Sequence, residues 1–115
     1  MSIANKYNHS KFTFKPARNT PFVTLEELYK EFGASTVYPV KACYINKKSK
    51  FGDHGVVATD NYMVDMPKHL TNTITEIMLD NETIEAINTG HFGFSIYVYA
   101  KDNGEFFSVH WEDID

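Results

Sequence analysis

The strongest constraint on the fold is a two-faced run near the C-terminus that is followed by a turn and a second run. Between positions 92 and 100, large apolar residues alternate with Gly, Ser and Tyr. Such alternation is typical of a β-strand with one buried face. The segment Lys101-Asp102-Asn103-Gly104 predicts a tight hairpin turn, and residues 105–111 predict the returning strand. The chain is therefore expected to contain an antiparallel sheet.

A short helix is predicted at residues 22–33. Thr24 is followed three positions later by Glu27, which is the pattern of a capping box, and apolar residues recur on one face of the next turns. Gly33 provides a stop, because glycine adopts the left-handed conformation that ends many helices. The preceding residues 1–21 contain no acidic side chain and predict a basic, otherwise loose arm with a short strand around its two phenylalanines.

The remaining elements follow in an informative order. Residues 36–46 are rich in β-branched and aromatic types and predict a first strand, and two shorter strands follow within 56–66. The next segment, up to Gly90, has the apolar spacing of a helix in two pieces. Three strands, a helix and two strands is the chain order of the OB-fold, a five-stranded Greek-key barrel. We therefore predict a mainly β, α+β fold: an OB-fold barrel over 36–111 with a helix between strands 3 and 4, preceded by the arm and short helix and followed by an acidic tail at 112–115.

Length and cysteine content restrict the class of protein. A chain of 115 residues predicts a single domain, 1–115. The lone Cys43 cannot form an internal disulfide and is typical of a reducing compartment. No stretch approaches the roughly 20 apolar residues of a membrane span, and the N-terminal residues do not lead into a signal core. We expect a cytoplasmic protein.

The charges are divided unequally along the chain. Residues 1–68 hold ten cationic side chains against six carboxylates, a net charge of +4, whereas residues 69–115 hold one lysine against nine carboxylates, a net charge of −8. A basic half attracts a polyanion, and here its lysines alternate with tyrosine and phenylalanine. Because cations neutralise phosphates and aromatic rings stack on unpaired bases, this combination predicts binding of single-stranded nucleic acid.

The candidate nucleic-acid-binding residues lie in a loop, on the strands and in the arm. Three lysines within four residues, beside an aromatic ring among polar neighbours, make loop 47–51 the first candidate. Alternation along the first strand predicts that Tyr38 and Tyr44 face outward, opposite Cys43 and Ile45. The predicted set is Lys47, Lys48, Lys50, Phe51, Tyr62, Tyr44, Lys11, Lys15 and Arg18.

A second aromatic row lies on the C-terminal hairpin. Tyr97 and Tyr99 share the face opposite the apolar one, and a small barrel needs only one buried face per strand. We therefore predict that Tyr97 and Tyr99 lie in a homo-oligomer interface, in a dimer or tetramer. Stacking on DNA is the alternative use of the same row.

The sequence shows no pattern of a catalytic or metal site beyond one weak pair. Asp53-His54 lies between Gly52 and Gly55, an arrangement that is more typical of a turn than of acid–base or metal chemistry. The five histidines have no metal-ligand spacing, and the sequence has no Ser-His-Asp order and no glycine-rich phosphate loop. We expect no enzymatic activity, no metal and no cofactor.

Two runs of the chain resemble a known family. Tyr-Ile-Asn-Lys-Lys-Ser-Lys-Phe-Gly-Asp-His-Gly-Val-Val, from Tyr44 to Val57, and Tyr-Met-Val-Asp-Met-Pro-Lys-His-Leu, from Tyr62 to Leu70, resemble small phage-encoded single-stranded-DNA-binding proteins of lactococcal and related Gram-positive phages. The strand at 90–99 and the returning strand extend the resemblance to residues 36–112. It implies an OB-fold, coating of single-stranded DNA in phage DNA replication or recombination, self-association, and a location in the host cytoplasm.

The acidic C-terminal end departs from the better-known bacterial single-strand binders. In those proteins a long disordered linker precedes an acidic tip that recruits partner proteins, whereas no such linker precedes Glu112–Asp115 here. Recruitment of phage or host replication or recombination proteins is therefore an open alternative. The runner-up function is an acidic protein-interaction adaptor that uses the −8 half and the Tyr97 and Tyr99 surface without binding nucleic acid.

Overall fold

The computed structural model describes residues 12–47, 52–101 and 104–115. The strands are β1 (Phe22–Thr24), β2 (Val37–Pro39), β3 (Ala42–Asn46), β4 (His54–Ala58), β5 (Met63–Asp65), β6 (Phe92–Lys101) and β7 (Gly104–Asp113). The helices are α1 (Leu25–Phe32), α2 (Thr71–Leu79) and α3 (Asn81–Asn88), and a single 3-10 turn at Lys68–Leu70 precedes α2. None of the described helices combines the length and the apolar character needed to cross a bilayer.

The strands form two sheets, which confirms the α+β class. The first sheet has the order β1-β5-β4-β3, in which β1 runs parallel to β5 and the other pairs are antiparallel. The second sheet is antiparallel and has the order β2-β6-β7. Helices α2 and α3 lie between β5 and β6, as the sequence predicted. Within the described residues no ladder joins β7 to the first sheet, so the strands of 36–111 do not close into a continuous barrel.

Helix α1 forms as its capping signal predicts. The Glu27 amide donates to the Thr24 hydroxyl at 3.2 Å, and the Thr24 amide donates to the Glu27 carboxylate at 3.1 Å. At the other end Gly33 has a φ of +82° and its amide donates to the Tyr29 carbonyl. Leu28 is buried, so one face of the helix holds it against the core.

The predicted strand at 36–46 is divided by a bend, which is a correction to the sequence analysis. The Val40 amide donates to the Phe92 carbonyl of the second sheet at 2.9 Å, and the next amide, that of Lys41, donates to the Ala58 carbonyl of the first sheet at 2.8 Å. Two consecutive peptide groups therefore join different sheets. We call this pair of hydrogen bonds the seam.

The seam resets which side chains face the core. Tyr38 is only 7% exposed and stacks on Phe94 with ring centroids 5.3 Å apart, so the expectation that it faces outward is wrong. Tyr44, beyond the seam, is exposed as expected. Lys41 belongs to neither strand, and its ammonium lies 3.7 Å from the Asp60 carboxylate, which accounts for a cation within an apolar run.

The main core fills the space between the two sheets and the helices. Its fully buried side chains include Leu28, Val57, Val64, Ile74, Phe94 and Ile96. Strand β4 and helix α2 approach closely at Gly55, where an added Cβ would overlap the side chain of Ile74. A glycine is therefore needed at this crossing.

The C-terminal hairpin forms as predicted, with Lys101 paired to Gly104, while the turn residues Asp102 and Asn103 lie outside the described residues. Strand β7 continues to Asp113, and the Ile114 amide donates to the His91 carbonyl at 2.9 Å. The predicted acidic tail at 112–115 is therefore largely part of the second sheet. Its Glu112 carboxylate accepts a hydrogen bond from the Ser95 hydroxyl at 2.8 Å.

The described part of the N-terminal arm is packed rather than loose. Phe12 is 9% exposed and joins the main core. Phe14 packs in a second apolar cluster with Val56 and Met63, on the face of the first sheet that points away from the main core. The predicted strand around Phe12 and Phe14 does not form within the described residues 12–17, and both rings pack on the rest of the protein through their side chains.

Candidate nucleic-acid interface

The face of the first sheet that points away from the main core carries the candidate site, and we call it the outer face. Tyr44 pairs with Val56, and Val56 pairs with Asp65, so these residues form one row across three strands. Neighbouring positions such as Cys43 and Val57 point into the core. The outer face therefore presents an exposed phenol ring beside a carboxylate.

The described part of the arm, residues 12–21, packs on this outer face through Phe14 and is hydrogen-bonded near both of its ends. The Thr13 amide donates to the Asn88 side chain at 3.0 Å, and the Met63 amide donates to the Pro21 carbonyl at 2.9 Å. Lys15 and Arg18 lie between these two attachments, and both are exposed. The arm therefore presents two exposed cations between Phe14, which packs on the outer face, and Pro21, while Lys11 lies outside the described residues.

A groove runs along the free edge of β3 beside α2. It has a volume of about 550 Å³, and its lining includes Tyr44, Lys47, Asn72 and Thr75. Among the strands that the structure describes, β3 is the last of its sheet, and no described strand pairs with its outer backbone edge. The groove thus brings Tyr44 and Lys47 together. The other members of the predicted loop cluster, Lys48, Lys50 and Phe51, lie outside the described residues.

Two groups on the outer face can carry charge, the Tyr44 phenol and the pair of His54 with Asp65. Partial burial, and then the Asp65 carboxylate, raise the pKa of Tyr44, so its phenol stays neutral at physiological pH. His54 Nε2 lies 3.2 Å from the Asp65 carboxylate. The acid–base pair considered in the sequence was Asp53 with His54, but the structure pairs His54 with Asp65 across neighbouring strands.

Tyr62 lies apart from this groove. Its ring is 6.3 Å from that of Phe32, and both line a cleft of about 220 Å³ together with Tyr38. Tyr62 immediately precedes β5, and the first residue of β5, Met63, pairs with Ala58. Tyr62 therefore lies at the end of the first sheet that is nearest to the seam. The structure therefore groups Tyr44, Lys47 and the arm, and puts Tyr62 in a second, smaller site.

The hairpin carries a ladder of rings on its outer side, which we call the ring ladder. Tyr97 stacks on His110 at 4.2 Å, Tyr99 stacks on Phe106 at 5.7 Å, and the two tyrosine rings are 6.1 Å apart. His110 and Phe106 were not among the predicted site residues. The signal was present, because in the returning strand these residues alternate with the apolar positions.

The surroundings of the ring ladder are acidic. A cleft of about 390 Å³ separates its tip from α1 and the 3-10 turn, and its lining includes Glu26, Asp65, Glu105, Tyr99 and Phe106. The described side chains of the hairpin include no lysine or arginine. The described lining of this cleft therefore combines aromatic rings with three carboxylates.

The described residues contain no group of three side chains arranged to hold a metal ion. In comparisons with known proteins, no family model, no curated protein and no solved structure matches this chain.

Proposed function

We propose that this chain is a single-stranded-DNA-binding protein without sequence specificity. The observation that carries the proposal is the packed arm: its Phe14 lies on the outer face, which also carries the exposed Tyr44 ring, and the arm continues through the exposed Lys15 and Arg18. The neighbouring groove leads from that ring to Lys47. Proteins bind single strands through two kinds of contact: cations that lie along the phosphate backbone, and aromatic rings on which the bases stack.

The path of the chain supports an OB-like architecture for this function. The strand order around the helices, together with one bent strand shared by both sheets at the seam, fits a partly open Greek-key barrel. Such barrels bind oligonucleotides on a sheet face and with adjoining loops. The resemblance in sequence supports a role in phage DNA replication or recombination, within the host cytoplasm.

The chemistry of the surface supports binding of single strands over duplexes. Lys15, Arg18 and Lys47 present charges suited to phosphates, and phosphate contacts carry no base information. Tyr44 lies on a sheet face, where an unpaired base can stack on it, whereas the bases of a duplex are already stacked on each other.

A titration with fluorescent oligothymidine at several salt concentrations tests the proposal. The triple variant Lys15→Ala, Arg18→Ala and Lys47→Ala should bind more weakly, and its salt slope should fall by about 2, since each phosphate contact on a single strand contributes roughly 0.7. Lys30→Ala is the matched control, because Lys30 is an exposed lysine on α1 that pairs with Glu26 at 3.1 Å.

Two results would contradict the proposal. Equal affinity of the wild type for a duplex and a single strand at moderate salt would remove the preference for unpaired DNA. A triple variant that keeps the wild-type salt slope would show that the phosphates bind elsewhere.

The ring ladder favours a second candidate function, an acidic protein-interaction adaptor. Its stacked tyrosines share the hairpin with Glu105, whose carboxylate lines the same cleft as Tyr99. Aromatic rings with polar tips are suited to protein interfaces. Within the main proposal, the same surface serves self-association into a dimer or tetramer.

A further inference from the structure

Phe22 is an exposed ring outside the predicted site. Its side chain is 56% exposed, the largest exposed fraction of any described Phe, Tyr or Trp. It opens β1, ahead of the segment 36–111 for which the sequence predicts a barrel. Single apolar side chains are often exposed, so the position of the ring has to decide what it does.

The register of β1 puts Phe22 on the outer face. Phe22 pairs with Met63 of β5, and paired residues of neighbouring strands point to the same face of a sheet. Met63 belongs to the second apolar cluster, whereas the next pair, Val23 and Val64, packs in the main core. The outer face therefore carries an exposed ring on each of its terminal strands, Tyr44 on β3 and Phe22 on β1.

The two rings are too far apart to stack on the same base. Phe22 is in register with Met63, Ala58 and Ala42, and Tyr44 lies two residues beyond Ala42. Three strand spacings and two residues along a strand amount to about 16 Å between the Cα atoms of the rings. At the phosphate spacing of one B-DNA strand, this distance corresponds to about five nucleotides, and OB-folds bind roughly 4–16 nucleotides.

The arm lies between the two rings. Phe14 packs in the second apolar cluster, on the two central strands β4 and β5, and the carbonyl of Pro21, directly before β1, accepts a hydrogen bond from β5. The exposed Lys15 and Arg18 belong to the segment between these contacts. A single strand that crosses the outer face from ring to ring therefore follows the arm, whose cations suit its phosphates.

The row of the sheet that holds Phe22 is uncharged. Its other members are Ala42, Ala58 and Met63. Asp65 belongs to the neighbouring row, and its carboxylate lies 3.2 Å from His54 Nε2. A flat, neutral base fits a ring in such surroundings, because stacking needs an accessible aromatic face and no charge.

We propose that Phe22 stacks on a second base of the bound strand, so that the strand crosses the first sheet from Tyr44 on β3 to Phe22 on β1. This contact rests on the single-strand binding proposed above, and it adds a second stacking ring and a direction across the strands. Strand β1 and the arm are then part of the binding surface as well as part of the packing.

Variants of Phe22 separate stacking from apolar contact. Phe22→Ala should weaken the binding of an oligothymidine of about 12 nucleotides about tenfold, as expected for loss of one base–ring contact. Phe22→Leu keeps an apolar side chain without a flat face and should lose a similar factor, whereas Phe22→Tyr should bind like the wild type. The salt slope should stay unchanged in all three, because no phosphate contact is removed.

Val37→Ala is the matched control. Val37 is 44% exposed and, like Phe22, begins a terminal strand of three residues, but it lies in the second sheet. Its loss should leave DNA binding unchanged. Urea unfolding of each variant shows whether the fold is intact, and we expect equal midpoints for the Phe22 variants because the ring is exposed.

A double variant tests whether both rings contact the same strand. Tyr44→Ala and Phe22→Ala remove contacts that are more than about 10 Å apart, so their effects on affinity should multiply. A double variant that binds no more weakly than Tyr44→Ala alone would overturn the crossing path. Ultraviolet cross-linking to oligothymidine, mapped by mass spectrometry, should attach thymine to both Tyr44 and Phe22.

The outcomes separate this contact from the proposed function. Wild-type affinity of Phe22→Ala or of Phe22→Leu would overturn the stacking contact, while a loss of affinity in the triple cation variant would still support single-strand binding. A wild type that binds no oligothymidine overturns both. A lower molar mass of Phe22→Ala in light scattering, with unchanged DNA affinity, would assign the ring to a protein interface and likewise overturn the contact.

Discussion

At the scale of single residues, burial decides which reactive groups of this protein are available. Cys43 is 5% exposed within the core, and burial raises the pKa of its thiol from 9.0 to about 12. Tyr44, the next residue, points to the opposite face and is 39% exposed. Because successive side chains of β3 point to opposite faces of the sheet, the unreactive Cys43 thiol is buried while the Tyr44 ring is exposed to solvent.

We expect Cys43 to make the folded state less stable in alkaline solution. The unfolded chain ionises this thiol near pH 9.0, while the folded protein keeps it protonated up to about pH 12. A raised pKa in the folded state contributes stability that is complete below pH 9 and is lost as the pH rises towards 12. Urea unfolding from about pH 8 to about pH 11 measures the loss.

Cys43→Ala is the comparison for this measurement, because other groups also titrate in the alkaline range. The variant should be less stable at neutral pH but should lose less stability on alkalinisation than the wild type. Identical pH slopes for the two proteins would show that the thiol is not protected in the folded state.

At the scale of elements, the packing of β4 on α2 depends on the missing side chain of Gly55. Gly55→Ala would force Ile74, which is fully buried, out of its position. We expect a loss of about 1–3 kcal/mol of unfolding free energy, as is usual for overpacked cores. Chemical denaturation measures it, and Gly104→Ala is the control, because a Cβ there meets Phe106 at an ordinary 3.5 Å.

A double-mutant cycle links that loss to the contact itself. In an Ile74→Val background, which lacks the overlapping methyl group, Gly55→Ala should cost less than in the wild type. Strictly additive losses would mean that the helix moves away from the sheet instead of straining at Ile74.

Some elements were predictable because their signals are local. The capping residues of α1 and the turn of the hairpin lie within a few positions of the elements that they define. The seam has no such signal, since Val40 and Lys41 lie within a continuous strand-like run and their hydrogen-bond acceptors, Phe92 and Ala58, are distant in sequence. Strand β1, with three residues, forms only because β5 is beside it.

The candidate site was likewise predictable where its signals are local, and not where it depends on contacts between distant parts of the chain. The exposure of Tyr44 followed from alternation, and the same rule gave the wrong face for Tyr38 because the seam intervenes. The packing of Phe14 against the outer face depends on a partner surface more than 40 residues away, so the sequence showed a basic arm but not where it lies.

At the scale of the whole molecule, two surfaces of different character stand apart. The groove contains Lys47 and Asp53 beside Tyr44, and the arm carries the exposed Lys15 and Arg18, whereas the cleft at the tip of the ring ladder is lined by Glu26, Asp65 and Glu105. Under the proposed function, the cations of the first surface attract a single strand and the carboxylates of the second repel it. The proposal thus leaves the ring ladder accessible to a partner or a second copy of the chain.

We expect the ring ladder to mediate self-association. Changing both Tyr97 and Tyr99 to Ser should reduce the molar mass measured by light scattering to that of a monomer, because it removes the stacked rings from the surface. A parallel titration with oligothymidine should show intrinsic DNA contacts largely intact. An unchanged mass with a collapse of affinity would assign the tyrosines to the DNA site instead.

The seam also has a consequence for the order in which the chain folds. The Lys41 amide finds its acceptor in β4, a short loop away, so the first sheet can begin to form from local pairings. The Val40 amide needs Phe92, and that closure spans both helices and carries a larger entropic penalty. During synthesis, β3 can therefore pair with β4 before β2 has its partner, because β2 pairs with β6 of the later hairpin. Folding is expected to pause at this peptide until β6 emerges from the ribosome.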